Sequence, residues 1–547
     1  MPVDAKEQQL SHKGLAKGSI GVVGAVAIGV SCIAPDYTLT ATLGSAAGAV
    51  GQFTPAIVWL GLIPMLFVAL GYRELNRAIP DSGTSFTWGA RAVGPRFGWL
   101  TGWGLIASTI VVLASLAQIA VVFLYETVDW IVGRIVGHDW TALADLNGHA
   151  WFNVLSVVAL TAAATWMCYH DLKLTARFQY VMVAFQLAAV FIFAAVAIWQ
   201  HTRSDAPQGP DAPQGLDFSL DWFNPISAIS QFGVSGLITG LTVAVFIYWG
   251  WDVVLTITEE TRESQKTPGR AATLTILIIT VYYLFVVTAV IMFAGVGTDK
   301  LGLNGAGIQE GENVFATLAV PVLGSGAAIL VYLAVLSSSL ASLESTFISP
   351  ARTMLAMGHY GGLNRQFAKT SRHATPGTAT IVAGCVAGGY YAVMRPISDN
   401  ILGDTMLTTA IFICFYYGLT SFAAVWYFRR QWSGAFGQLG SGQTRWAAVR
   451  KIFFQLVFPG VGGLFLAFMF FHELIASASP DYGSGSNVGG LGLVFILSAI
   501  ILLLGVALLI YNNIRNPEFF AQPTTTVPRG VAEGDGLDPH FHALTDA

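Results

Sequence analysis

Apolar residues run through this chain in blocks too long for a soluble helix, separated by short polar stretches. About twelve blocks are long enough to cross a bilayer, at approximately 19–48, 53–75, 97–130, 151–169, 176–200, 234–258, 271–295, 323–350, 377–394, 401–428, 451–471 and 490–511. The pattern predicts an all-α polytopic membrane protein. The polar stretches divide it into a segment 1–17 on the cytoplasmic side, a first five-helix unit 18–200, an extracellular loop 201–233, a second five-helix unit 234–428, two further helices in 429–511, and a disordered cytoplasmic tail 512–547.

Two of the blocks are interrupted. The first contains Gly29-Val30-Ser31-Cys32-Ile33-Ala34-Pro35-Asp36-Tyr37. Gly29 is permissive, Pro35 lacks an N–H, and Ser31 is able to cap a restarted helix. Lipid offers no partner for freed backbone groups, so such a break needs cover from protein or from a water-filled cavity. Asp36, an acid inside an apolar span, marks a functional site by default. A packing kink followed by ordinary helix-start chemistry is the competing reading. The sixth block repeats the combination: Gly250 is flanked by Tyr248, Trp249, Trp251 and Asp252. Five spans separate the two breaks, and five is odd, so the second unit enters the membrane from the opposite side. Paired broken helices opening two such units point to an inverted-repeat transporter with its site at mid-membrane. The expected substrate site is Gly29, Ser31, Cys32, Ile33, Ala34 and Asp36 from the first break, with Tyr248, Trp249, Gly250, Trp251 and Asp252 from the sixth.

Composition agrees: 54% of the 547 residues are hydrophobic and 11% charged. The 59 glycines suit close helix–helix contact. Cys32, Cys168, Cys385 and Cys414 lie in or beside apolar blocks without metal-ligand spacing, and read as buried thiols. The first apolar block is too long for a cleavable signal. With the N-terminus placed inside, 23 of the 27 basic residues fall in inner segments and only Arg134, Arg203, Lys300 and Arg395 fall outside. That bias supports twelve spans with both termini in the cytoplasm.

Further residues carry a family resemblance along about 15–510. After the second span stand Glu74-Leu75, Ala78, Pro80, Ser82-Gly83, Phe86, Trp88, Arg91, Gly94, Gly98-Trp99 and Gly102-Trp103. This resembles the E-L-x-x-A-x-P-x-x-G-G-x-Y-x-Y-x-x-R-x-x-G signature of the amino acid–polyamine–organocation (APC) transporter superfamily, with Thr84 and Phe86 replacing its second Gly and first Tyr. Tyr248 to Asp252, then Glu259-Glu260-Thr261 and Thr267-Pro268-Gly269-Arg270-Ala271, resemble the family's sixth span and following loop. Pro350-Ala351-Arg352 through Thr375-Pro376 resembles its eighth-to-ninth connection, with Met357 to Gly361 in place of A-R-D-G. The resemblance implies a LeuT-like five-plus-five inverted repeat with two extra helices, and a permease for amino acids or amines. Family members commonly carry alanine after the proline of the first break, so Asp36 is a departure.

Thr267 and Pro268 read as N-cap and first helical residue. Glu74 and nearby arginines form either a charge network that locks a closed state or a solvated face. Glu126 and Asp129 read as interfacial. Glu344 in the eighth span is a candidate coupling residue for H⁺, and Ser338, Ser339 and Ser342 are candidates for Na⁺, the family fold placing that span against the first. No lysine stands mid-way in the fifth span, where some sodium-independent relatives have one; Gln179 and Gln186 lie there. No cofactor, metal site or nucleic-acid partner is expected, since zinc, nucleophile-elbow and Walker motifs are missing from the sequence. The expected partners are the bilayer, a small amino acid or amine, and a coupling H⁺ or Na⁺. Two acids, Asp36 and Glu344, with an aromatic wall favour a cationic substrate over a neutral one; a membrane sensor without flux is the alternative of another class.

Overall fold

Helices dominate because a segment in lipid has to satisfy its backbone N–H and C=O groups within itself. The computed structural model describes residues 13–522 except 16–17, 19, 138–139, 171, 204–213, 300, 306–307, 309–312, 399 and 440–444, and except the side chains of 172–179. Among the described residues, eleven stretches are long and apolar enough to cross a membrane, and the first, Val22–Ala78, has 57 residues. At 1.5 Å per residue that is about 85 Å, more than twice a hydrocarbon core. It turns at Gly51–Phe53, where Gly51 takes φ 55°, so it holds two passages and the bundle has twelve. With an even number, the described chain begins and ends on one face, called here the terminal face.

The architecture is a LeuT-like five-plus-five inverted repeat followed by two spans. The first span is broken into Val22–Ile33 and Pro35–Val50, and the sixth into Pro225–Ile247 and Val253–Thr256. The third (Pro95–Val136), eighth (Ile329–Thr346) and tenth (Ile401–Tyr427) spans pack together around them, and the seventh (Thr267–Ala294) lies along the first half of the first span. The third span is largely enclosed; the twelfth, Leu493–Arg515, is mostly exposed, as a lipid-facing helix is.

Several boundaries differ from the sequence reading. The sixth span starts at Pro225 rather than 234, because Asn224 caps it by accepting from the Ile226 N–H at 3.0 Å and the helix bends rather than ends at Gly233, φ 72°. The loop 201–233 is shorter by that amount. A 14-residue helix, Val314–Ala327, precedes the eighth span unannounced. The eighth span continues as Ile348–Tyr360 to the left-handed Gly361. Thr267 is already helical and makes no capping bond; Lys266 takes the cap position. The region 512–547 is not wholly irregular: helix reaches Arg515, and a further turn, Pro517–Phe520, buries Phe519 and Phe520. Residues 523–547 lie outside the described residues. Cys385 is exposed because it lines a groove on the outside of the bundle, and Cys168 is only partly buried because it lines a small cleft, whereas Cys32 and Cys414 are buried. Asp129, near the end of the third span, is buried: its carboxylate accepts from the Leu143 and Ala144 N–H groups at the start of the short helix Ala142–Asn147.

Candidate functional site

The first break is one residue wide. The helix runs through Gly29 and Ser31 and stops at Ala34, φ 52° and ψ 65°, a left-handed conformation that costs a non-glycine residue roughly 1–2 kcal/mol. Neither Gly29 nor Ser31 makes the break. Gly29 serves packing instead, since a Cβ there would meet Thr275 Oγ1 at 2.7 Å, and the Ser31 hydroxyl is buried without a partner among the described residues. The Ala34 N–H closes the first half by donating to Val30 O at 3.1 Å, and Pro35 opens the second half at its first position. Freed carbonyls find donors: Thr38 Oγ1 donates to Ile33 O at 2.7 Å and Ser342 Oγ to Cys32 O at 2.9 Å. Asp36 sits in the first turn of the restarted helix, fully buried. Its Oδ1 accepts from the Tyr282 hydroxyl of the seventh span, and its Oδ2 has no partner among the described residues.

The sixth break is wider and more heavily braced. Tyr248 to Asp252 form a turn with Gly250 at φ 107°. A Cβ on Gly250 would lie 3.0 Å from Cys32 C and 3.1 Å from Ile33 N, so the two breaks touch backbone to backbone. Tyr248 Oη donates to Val58 O at 2.9 Å, and Trp249 Nε1 to Tyr416 Oη at 2.8 Å. Asp252 accepts from Tyr416 at 3.1 Å and from Tyr417 at 2.8 Å, one hydroxyl on each oxygen. Trp251 is wedged edge-on against Tyr72 at 5.1 Å and beside Tyr417 at 5.1 Å.

The serines of the eighth span divide. Ser342 and Ser338 face the first break, Ser338 Oγ accepting from the Tyr37 N–H at 3.4 Å, whereas Ser339 donates to Val335 O of its own helix. Glu344 does not stand beside the first span, contrary to the sequence reading. Two residues are about 200° of helical rotation, so Glu344 points away from the face of Ser342 into a small cleft with Cys168, Arg352, Thr375 and Pro376. Its Oε2 has no partner among the described residues. Sequence reasoning missed Tyr282, Tyr416 and Tyr417; the only signal was a tyrosine pair, 282–283 and 416–417, in the middle of each of two apolar spans.

Polar contacts lie on both faces of the bundle. On the terminal face Lys13 is buried and bridges Asp81 at 2.8 Å and Glu259 at 2.6 Å. Ser82 Oγ also donates to Glu259, and the Tyr360 hydroxyl to Asp81. Burial alone would lower Lys13, but the charges of Asp81 and Glu259 outweigh it and hold the ammonium above its usual range. Burial alone would raise Asp81; the Lys13 charge and the bonds from Lys13, Tyr360 and the Gly83 N–H outweigh that and hold it well below the usual range. Glu74 is half-buried and pairs with Arg77 at 3.1 Å, one turn along its own helix, with Arg73 at 4.0 Å. On the opposite face, Thr40 of the first span donates to Asn313 and accepts from the Phe315 N–H, tying down the helix 314–327.

Among proteins of described function, the chain is similar to the low-affinity putrescine importer PlaP of Escherichia coli K12, 25% identical over 321 residues, covering 57% of this chain and 64% of that protein. It is also similar to a D-serine/D-alanine/glycine transporter of Escherichia coli O6:H1, 24% identical over 66% of this chain and 70% of that one. The branched-chain amino acid permease BcaP of Lactococcus lactis subsp. cremoris is 24% identical over 61% and 67%. The chain thus aligns with just under two thirds of the putrescine importer's length. Among solved structures, MhsT in complex with L-phenylalanine superposes with a TM-score of 0.59 at 15% identity, over 83% of this chain and 99% of that one, which establishes the shared fold. The amino acid permease family model matches residues 20–497, and the chain belongs to that family.

Proposed function

We propose that the protein is a secondary active transporter that carries a cationic amine or basic amino acid across the cytoplasmic membrane by alternating access, with both termini in the cytoplasm. The observation that carries this reading is the unpartnered oxygen of Asp36, buried in the first turn after the break, three residues beyond Ile33, where the broken helices touch. An uncompensated buried charge is costly, by several kcal/mol. A carboxylate there is therefore neutralised by a cation, either the substrate or a proton. Alternation between those two partners gives proton-coupled transport or exchange. The half-helix start at Pro35 supplies a positive dipole end for a substrate carboxylate. The Lys13 cluster and the 314–327 helix serve as the gates on the two faces. The putrescine importer among the relatives supports an amine.

The second reading is a neutral amino acid. It is favoured by the Tyr282 hydrogen bond and by the first-turn position of Asp36, which together give the acid a structural role at a helix start. Uptake into proteoliposomes, competed by putrescine, arginine and leucine, separates the two. The cationic reading expects putrescine or arginine to compete best, and Asp36→Asn to remove that preference. Leucine competing best in both proteins sinks it; the absence of any flux would make the protein a sensor.

A further inference from the structure

The fourth span (Ala150–His170) and the ninth (Gly377–Met394) pack side by side and leave a groove of about 670 Å³ on the outside of the bundle. It is lined by Val158, Thr161, Ile381 and Ala392, with Trp166 62% exposed at its edge. Small residues make the space. A Cβ on Gly388 would come no nearer than 3.9 Å to Val158, and one on Gly389 would meet nothing within 4 Å. The lining offers few groups to which water could bond, so the groove suits an apolar occupant.

Its end toward the terminal face is of another kind. His170 lies against the ring of His373, 5.2 Å between centroids, and His373 Nε2 accepts from Arg372 Nε at 3.1 Å. The loop that carries them is pinned to the fourth span, Thr375 Oγ1 donating to Tyr169 O at 2.6 Å. From Ser345 to Ser398 the sequence contains no acidic residue, while Arg365, Lys369 and Arg372 fall in the connection before the ninth span. Lys173 and Arg177 follow His170, with Asp171 the one acid between them and it. Trp166 and Tyr169 are the aromatic types that sit at a headgroup boundary.

We infer that this groove binds an anionic glycerophospholipid, with an acyl chain laid between the two spans and the phosphate held by Arg372 and the His170–His373 pair. Basic pockets at the ends of membrane helices take such headgroups. A second copy of the chain is a poorer occupant. A two-fold axis along the membrane normal makes the patch meet itself, setting Arg372 against Arg372. A zwitterionic lipid brings its own cation to the basic end.

Native mass spectrometry of the full chain, released from detergent with equimolar phosphatidylglycerol and phosphatidylcholine, tests this. The expected result is selective retention of phosphatidylglycerol, reduced about fivefold in Arg372→Gln, the effect of one basic residue near an anionic headgroup. Gly389→Phe, which fills the groove where nothing opposes it, should abolish retention of both lipids. Equal retention of the two lipids, or selective retention that survives both substitutions, overturns the proposal. So does a disulfide-linked dimer through Cys385 that displaces lipid, which would make the groove a self-association surface.

Discussion

The two breaks look alike in sequence, a helix breaker beside an acid in an apolar span, and differ in the fold. At the first, a single left-handed residue, Ala34, separates half-helices of 12 and 16 residues. At the sixth, five residues separate a long half from one of only four residues, Val253–Thr256. The first leaves Asp36 with an unpartnered oxygen, whereas the sixth gives each oxygen of Asp252 its own tyrosine. The difference teaches that a breaker beside an acid does not fix how far the acid is bonded: among the described residues Asp36 keeps an unpartnered oxygen and Asp252 does not. Asp252 ties the sixth span to the tenth through Tyr416 and Tyr417.

The largest expected effect lies where the breaks touch. Gly250→Leu places a side chain 3.0 Å from the Cys32 carbonyl carbon in a backbone conformation that L-residues rarely adopt. Uptake should fall below detection while the protein still reaches the membrane as a monodisperse helical species; normal uptake would separate transport from the junction. Next comes Lys13→Ala. Removing one partner of a buried ion cluster typically costs about 3–5 kcal/mol, so maleimide labelling of a cysteine placed near the breaks should rise sharply from the terminal face. The cluster itself should be insensitive to pH between about 5 and 9. Asp81, depressed in the folded state, contributes stability above the ordinary carboxylate pKa and loses it only as pH falls through its lower folded value. Lys13, raised, contributes below the ordinary lysine pKa and loses it only as pH rises through its higher folded value. A gate that opened on titration from pH 8 to 6 would contradict this.

A sharper test of the comparison pairs Asp36→Asn with Asp252→Asn. The second should lower the thermal midpoint, since charge-assisted hydrogen bonds contribute about 1.5–3 kcal/mol, with substrate preference intact. The first should change preference among putrescine, arginine and leucine with little loss of stability. The reverse outcome would exchange the roles of the two acids. The smallest effect is expected for Glu74→Gln, which removes a half-buried pair one helical turn apart, worth about 1 kcal/mol or less; a larger fall in the thermal midpoint would mean that the Glu74 pair is part of the gate.

Much of this architecture was legible because its causes are local. Span lengths, the Lys and Arg bias and the positions of the breaks rest on neighbouring residues, and Pro35 and Gly250 act through their own backbone. Even so, the change of direction falls at Ala34, five residues beyond Gly29. Pro35 restricts the residue before it and lacks an N–H, so Ala34, rather than Gly29, absorbs the change of direction. The burial of Lys13 in a polar head was illegible, since its partners are 68 and 246 residues away.

By itself, then, the sequence determined a twelve-span bundle with two interrupted helices opening inverted units, because apolar run length and helix breakers are properties of contiguous chain. Tertiary structure alone decided which polar groups are still unpaired. Asp36 meets Tyr282, Asp252 meets Tyr416 and Tyr417, and Glu344 turns away from the face of Ser342. Whether a buried carboxylate keeps an unpartnered oxygen depends on which hydroxyls reach it, and those arrive from spans more than 150 residues distant.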